Sequence, residues 1–140
     1  MLQQSNRLWR VLIVDGQPLF HEGLRTLIDA QDDLAVCAAA CDLRSAVTLL
    51  GQHHPDLVIA GLWYRQAVGL ELIRQLREHD PHVPILVIAA YDEAVFANRV
   101  LRAGANGYLM SDAPLQAILD ALHTIRNGHI HVSAAVSNQL

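Results

Sequence analysis

The sequence predicts a doubly wound α/β domain built on a five-stranded parallel sheet. Three observations carry this. Apolar runs of strand length alternate along the chain with segments of helical periodicity. The runs are continuous rather than alternating, the pattern of strands buried on both faces. The chain of 140 residues, 52% of them hydrophobic, can fill one core of this kind, whereas two domains would need unusually small parts.

The first predicted strand is Trp9-Arg10-Val11-Leu12-Ile13-Val14. A helix follows, with Pro18 in its first turn and Leu19, Gly23, Leu24, Leu27 and Ile28 as its core-facing stripe. Leu34-Ala35-Val36-Cys37 is the second strand, and Leu43, Val47 and Leu50 mark the second helix. Leu57-Val58-Ile59-Ala60 is the third strand, entered through Pro55, and Leu70, Ile73 and Leu76 face the core from the third helix. Pro81 and Pro84 lead into Ile85-Leu86-Val87-Ile88-Ala89, and Val95, Val100 and Leu101 support a fourth helix. Gly107-Tyr108-Leu109-Met110 is a weaker fifth strand. The last helix, begun near Pro114, has the best apolar spacing of all at Leu115, Ile118, Leu119, Leu122 and Ile125, and Asn127-Gly128 stops it. Right-handed crossovers then place helices on both sheet faces.

Composition excludes several functions. A formal charge of −4, with ten arginines spread along the chain, argues against non-specific nucleic-acid binding by this segment. No lysine occurs. The start, Met1 to Arg10, lacks a signal-peptide core, and no apolar run reaches the roughly 18 residues of a membrane span, so a cytoplasmic location is expected. Cys37 and Cys41 have no histidines at a zinc spacing, and His53-His54 and His129-Ile130-His131 lack further ligands, so no metal site is expected.

In a doubly wound sheet chemistry gathers at the carboxyl ends of the strands, where strand order reverses. Asp15-Gly16, Gly61-Leu62, Ala89-Ala90 and Ser111 are the residues there. Three stretches surrounding them are distinctive together: residues 11–24, which run Val11-Leu12-Ile13-Val14-Asp15-Gly16-Gln17-Pro18-Leu19-Phe20 and end in Glu22-Gly23-Leu24; His54-Pro55-Asp56-Leu57-Val58-Ile59; and Arg102-Ala103-Gly104-Ala105-Asn106-Gly107-Tyr108-Leu109. With these, residues 8–130 resemble the receiver domains of bacterial response regulators, of flavodoxin-like (βα)5 fold, in the branch joined to LuxR-type (NarL/FixJ) helix-turn-helix domains. The resemblance implies that residues 1–7 are a tail and that 131–140 begin a linker towards a C-terminal DNA-binding domain outside this chain.

The family's chemistry, as the resemblance implies it, uses two acids after the first strand and an aspartate after the third to hold Mg²⁺, the last accepting the phosphoryl group. A hydroxyl after the fourth strand and a lysine after the fifth sense the phosphate. Magnesium needs hard oxygen ligands, and phosphoryl transfer needs cations at the transferring group. Here Asp15 retains one acid of the pair, Gly16 replaces the other, Gly61 stands at the acceptor position, Ala89 replaces the hydroxyl and Ser111 the lysine. The expectation is a degenerate pocket with no catalytic residue and Mg²⁺ binding lost or very weak. Asp56 is no substitute, since at strand rise it lies roughly 16 Å from Gly61. Ser111 lacks an activating base, and Asp92 reads as an exposed loop acid.

Three further features bear on function. Tyr108 occupies the family's switch-aromatic position and reads either as an ordinary packed strand tyrosine or as one fixed at a partner surface. Trp63 and Tyr64 follow Gly61, where they could lid the emptied pocket or stack on a small ligand. Arg99 and Arg102 on the fourth helix, with Asp112 and Asp120 beside or on the fifth, are candidate interface charges. The resemblance implies homodimerisation through the fourth-to-fifth or the first-to-fifth helix face. The functional expectation is a non-enzymatic, phosphorylation-independent module for protein contacts and dimerisation in a transcription regulator. Its rivals are a metabolite sensor and a protein phosphorylated at an unusual residue.

Overall fold

A computed structural model describes residues 7–62, 66–90 and 93–133, without side-chain description of residues 66, 67 and 93–95. Five strands and five helices alternate: β1 (Trp9–Val14), α1 (Pro18–Asp29), β2 (Leu34–Ala40), α2 (Leu43–His53), β3 (Leu57–Leu62), α3 (Gln66–His79), β4 (Ile85–Ala89), α4 (Glu93–Ala103), β5 (Gly107–Met110) and α5 (Leu115–Arg126). All neighbouring strands are parallel, in the order β2-β1-β3-β4-β5.

Because strand side chains alternate faces, each central strand feeds two cores. Leu12, Val14, Val58 and Ala60 join the layer under α2, α3 and α4, while Val11, Ile13, Leu57 and Ile59 join the layer under α1 and α5. β3, β4 and the last four residues of β1 are buried throughout, which is why those runs read as continuous.

β2 runs three residues beyond the predicted Cys37. A register shift pairs Val11 with Val36 but Leu12 with Ala38, so Cys37 is left over, and Ala38 to Ala40 continue the ladder beside Leu12 to Val14. Alanine is a poor strand former alone, and only the pairing with β1 makes this segment extended.

Four stripe residues, Leu19, Gly23, Leu43 and Leu115, are exposed where periodicity put them in the core, two of the leucines most of all. Leu19 is 88% exposed instead of facing the core. At about 100° per residue it sits roughly 140° round the helix from buried Leu24, in the first turn before α1 meets the sheet. Leu115 is 64% exposed for the same reason of position, since α5 makes its core contact through Ile118, Ala121, Leu122 and Ile125.

The chain after α5 returns to the sheet. His131 forms a parallel bridge with Gly107. The Tyr108 N–H donates to His131 O (2.9 Å) and the His131 N–H to Asn106 O (3.0 Å). The first residue of the expected linker is therefore paired along the β5 edge, over a glycine: a Cβ at Gly107 would lie 3.0 Å from Ile125 Cδ1 and 3.1 Å from both His131 O and Leu86 Cδ1.

Candidate functional site

The carboxyl end of the sheet brings the predicted pocket residues together. Asp15 directly follows β1, Gly61 pairs with Ile88, Leu62 pairs with Ala89, and Ala89 pairs with Met110. The Ser111 N–H donates to Ala89 O at 2.8 Å, extending the β4–β5 ladder by one bond. The topological switch falls between β1 and β3, so Asp15 and Gly61 sit at the crevice where a doubly wound fold places its ligand.

Asp15 is the one buried charged residue among those described. Its backbone N–H donates to Ala40 O (2.8 Å), and its Oδ1 accepts from the Gln17 N–H at 2.6 Å. This Asx turn carries the chain from β1 into Pro18 and α1, so the retained acid has a structural use needing no metal. Asp42, at the same end, caps α2: its Oδ1 accepts from the Ser45 N–H (2.8 Å) and Oγ (2.7 Å). The bonds from the Ser45 N–H and hydroxyl hold its carboxyl below the usual range. Sequence reasoning missed both roles. An aspartate two residues before Gln17-Pro18, and another just ahead of an apolar helical stripe, are signals that could have found them.

A cavity of about 40 Å³ lies under this end, bounded by Val14, Asp15, Gly61, Leu62, Gly69 and Leu72. Leu62 fills the space towards α3 so closely that a Cβ on Gly69 would fall 2.8 Å from its Cδ1. Small-molecule sites span roughly 300–1,000 Å³, so the space among the described residues suits a few waters and no metabolite. Trp63 and Tyr64, the expected lid or stacking pair, and Asp92 lie outside the described residues. No group of three or more His, Cys, Asp or Glu side chains among the described residues could hold a metal ion.

Tyr108 is wholly buried. Its ring packs edge-to-face on Phe96, with centroids 5.9 Å apart at 72°. Such a pair contributes about 1 kcal/mol beyond area burial. The Tyr108 ring is thus packed within the core under α4. Arg99 and Arg102 are exposed and line a cleft with Leu70 and Arg74 of α3. Asp112 is exposed ahead of α5, and Asp120 accepts from Gln116 Nε2 (3.0 Å) and lies close enough to act on His131. The four candidate interface charges therefore fall in two regions.

Exposed Leu19 and Leu115 rim a groove of about 210 Å³ between α1 and α5, floored by Phe20, Leu24, Leu27 and Ile118. Sequence periodicity had hidden this patch by assigning its rim to the core.

Residues 11–123 match the response regulator receiver domain. The chain belongs to that family. It is 27% identical over 131 residues to the transcriptional regulatory protein DegU of Brevibacillus brevis, covering 94% of this chain and 56% of that protein. The solved LuxR-family two-component response regulator from Aurantimonas sp. SI85-9A1 superposes with a TM-score of 0.86 at 29% identity, over 94% of each chain. The receiver domain of the response regulator NarL from Mycobacterium tuberculosis does so with 0.79 at 26% identity, over 88% of this chain and 99% of that one. These likenesses put the receiver in the LuxR/NarL-type branch. The chain spans less than two thirds of the length of the curated relatives it matches.

Proposed function

We propose that this receiver acts without phosphorylation, as a regulatory contact and dimerisation module of a cytoplasmic, LuxR-type transcription regulator. One observation carries the reading: the crevice where the family's acceptor belongs holds Gly61, flanked by Gly16, Ala89 and Ser111, and its one buried carboxylate, Asp15, is engaged in the turn into α1. Acceptor, second acid, sensing hydroxyl and cation are absent as a set. A buried carboxylate cluster without its cation would repel itself, so their joint loss removes a cost that function no longer requires. A receiver lacking the site has no input that would shift it between two conformations, and one arrangement, with Tyr108 inside, is held.

Of the two helix faces open to dimerisation, α1–α5 is the better supported. Leu19 and Leu115 present a contiguous apolar rim there, and a two-fold pairing of identical patches would bury both copies at once. DNA contact would then be made by a domain following this one, in keeping with relatives named as transcriptional regulators and longer than this chain. The metabolite-sensing alternative is not favoured, because the described cavity is too small.

Sedimentation equilibrium over a wide concentration range, with and without Mg²⁺ and beryllofluoride, tests the proposal. The expected result is a dimer whose dissociation constant ignores the phosphoryl mimic and rises at least tenfold in Leu19→Asp or Leu115→Asp. Any shift produced by the mimic would overturn phosphorylation independence, and a monomer at all concentrations would overturn the dimer.

A further inference from the structure

We propose that Asn127-Gly128, the turn that ends α5, is a self-modification site: it deamidates through a cyclic imide and so releases residues 129–133 from the β5 edge. Asparagine before glycine is the pair in which this reaction is easiest, because glycine has no side chain to hinder its own amide nitrogen. That nitrogen attacks the asparagine side-chain carbonyl carbon, so a new C–N bond forms and the carboxamide C–N bond breaks. The departing amino group takes the glycine amide proton and leaves as ammonia. Water then opens the ring at either carbonyl, giving aspartate or isoaspartate.

The chain holds two such pairs, and the fold treats them oppositely. At Asn106-Gly107 the carboxamide oxygen accepts from the Ile85 N–H (3.0 Å) and from Arg77 Nη2 (3.2 Å), and Gly107 is buried opposite Leu86 in the β4–β5 ladder. Neither group can swing towards the other without opening the sheet. Asn127 and Gly128 are both exposed, and a Cβ at Gly128 would meet nothing within 4 Å. The attacking nitrogen is held by the bond from the Gly128 N–H to Ile125 O (2.9 Å), in the last turn of α5, where helix ends open at little cost. Once that bond opens, the Asn127 ψ of 6° can turn to bring the nitrogen onto its own side chain.

The products do not suit the place. A carboxylate appears at the carboxyl end of a helix, where the macrodipole is already negative. Isoaspartate also routes the chain through the side chain, adding a backbone carbon four residues before His131. The seat of His131 on β5 is set by its N–H bond to Asn106 O (3.0 Å) and by the Tyr108 N–H bond to its own carbonyl (2.9 Å). A longer path to His131 carries it past both partners. Deamidation is thus a slow, one-way release of the tail, independent of the proposed dimer.

Ageing the 140-residue chain in mildly alkaline buffer, with peptide mapping by mass spectrometry, tests this. In the folded domain Asn127 is expected to convert at least about tenfold faster than Asn106, because a fraying turn opens locally and a core ladder does not. In urea the two should convert at similar rates. Amide exchange at Tyr108 and His131 should accelerate in the aged protein, whereas Asn127→Gln, whose longer side chain closes the ring far more slowly, should age without that change. Conversion at Asn127 no faster than at Asn106, or the same preference for Asn127 in urea, would overturn the structural assignment of the site. Unchanged Tyr108 protection in isoaspartate-containing protein would overturn the release, as would an equal loss of protection in aged Asn127→Gln.

Discussion

The two ends of the sheet use charge in opposite ways. At the amino-terminal end, arginines reach across the fold to backbone carbonyls. Arg77 Nη1 donates to Val83 O (2.7 Å) and Asp80 O (3.1 Å), and its Nη2 donates to Gly104 O (2.6 Å) and Asn106 Oδ1 (3.2 Å). Arg10 Nη1 donates to His53 O (2.6 Å), closing the end of α2 where His54 turns left-handed at φ 47°. Arg126 lies over the Trp9 ring at 5.1 Å and pairs with Asp33 at 3.3 Å. At the carboxyl-terminal end, Asp15 Oδ1 and Asp42 Oδ1 accept from N–H groups two and three residues onward, in their own turns. The long-range side-chain bonds of Arg10, Arg77 and Arg126 join separate elements at the amino-terminal end. These bonds tie helices to strands at the end of the sheet away from the crevice, so the fold does not depend on which residues line that crevice.

The comparison predicts its own largest effect. Arg77→Ala removes four bonds and strands the carbonyls of Val83 and Gly104, part-buried and unable to find new partners. A loss of about 3 kcal/mol is expected, roughly a 10 °C fall in Tm by calorimetry. Burial already pushes the Arg77 guanidinium down from its ordinary value, yet it stays charged, since arginine remains protonated in proteins. A change under 1 °C would mean that the amino-terminal network is ornamental.

Restoring charge to the other end should go wrong differently. Gly61→Asp places a carboxylate in a fully buried strand position beside Asp15, with no lysine to meet it, and should cost about 2 kcal/mol by urea denaturation. Because Gly16, Ala89 and Ser111 remain, acetyl phosphate with Mg²⁺ should leave the variant's mass unchanged. A phosphoryl adduct would show that the acceptor alone was missing.

How much of this was legible follows the same division. The strands, helices and pocket positions were readable because hydrophobic periodicity and the Asp15-Gly16, Gly61, Ala89 and Ser111 spacing are local. The roles of Arg77, Arg10 and Arg126 were not, because their partners lie up to 119 residues away, as with Arg126 and the Arg7 carbonyl, and nothing in spacing announces such bonds. The exposed rim at Leu19 and Leu115 was misread since a leucine in a first helical turn keeps the stripe's chemistry while pointing elsewhere. The Ala38–Ala40 extension was invisible because pairing, not propensity, makes it a strand.

The β5 edge lies between the two ends and sharpens the contrast with a smaller change. Gly107→Ala would press its Cβ on Ile125, Leu86 and the His131 carbonyl at 3.0–3.1 Å. The aliphatic tips can give by a few tenths of an ångström, so about 1 kcal/mol is expected, with the returning chain displaced. Amide exchange at Tyr108 and His131, whose N–H groups form that pairing, should accelerate together. Unchanged protection at both would show that the tail docks without the notch.

The smallest effect expected is a pH dependence of the same docking. Burial holds the His131 imidazole below its ordinary 6.5, and the opposing attraction of Asp120 does not restore it. A histidine depressed in the folded state binds protons more readily once released. The docked tail is therefore at full strength above about pH 6.5 and weakens as pH falls through that value, levelling off below the folded-state pKa. Proton exchange of the Tyr108 amide, corrected for its intrinsic rate and followed between pH 7.5 and 5.5, should show protection falling on the acid side, while that of the Val58 amide, bonded to Pro84 O at 2.9 Å, stays level. His131→Asn keeps the backbone pairing without the ionisation, and should abolish the local trend. If Tyr108 protection instead rose on acidification, the charged imidazole would be gaining more from Asp120 than burial takes away, and the sign assigned to the β5 edge would be reversed.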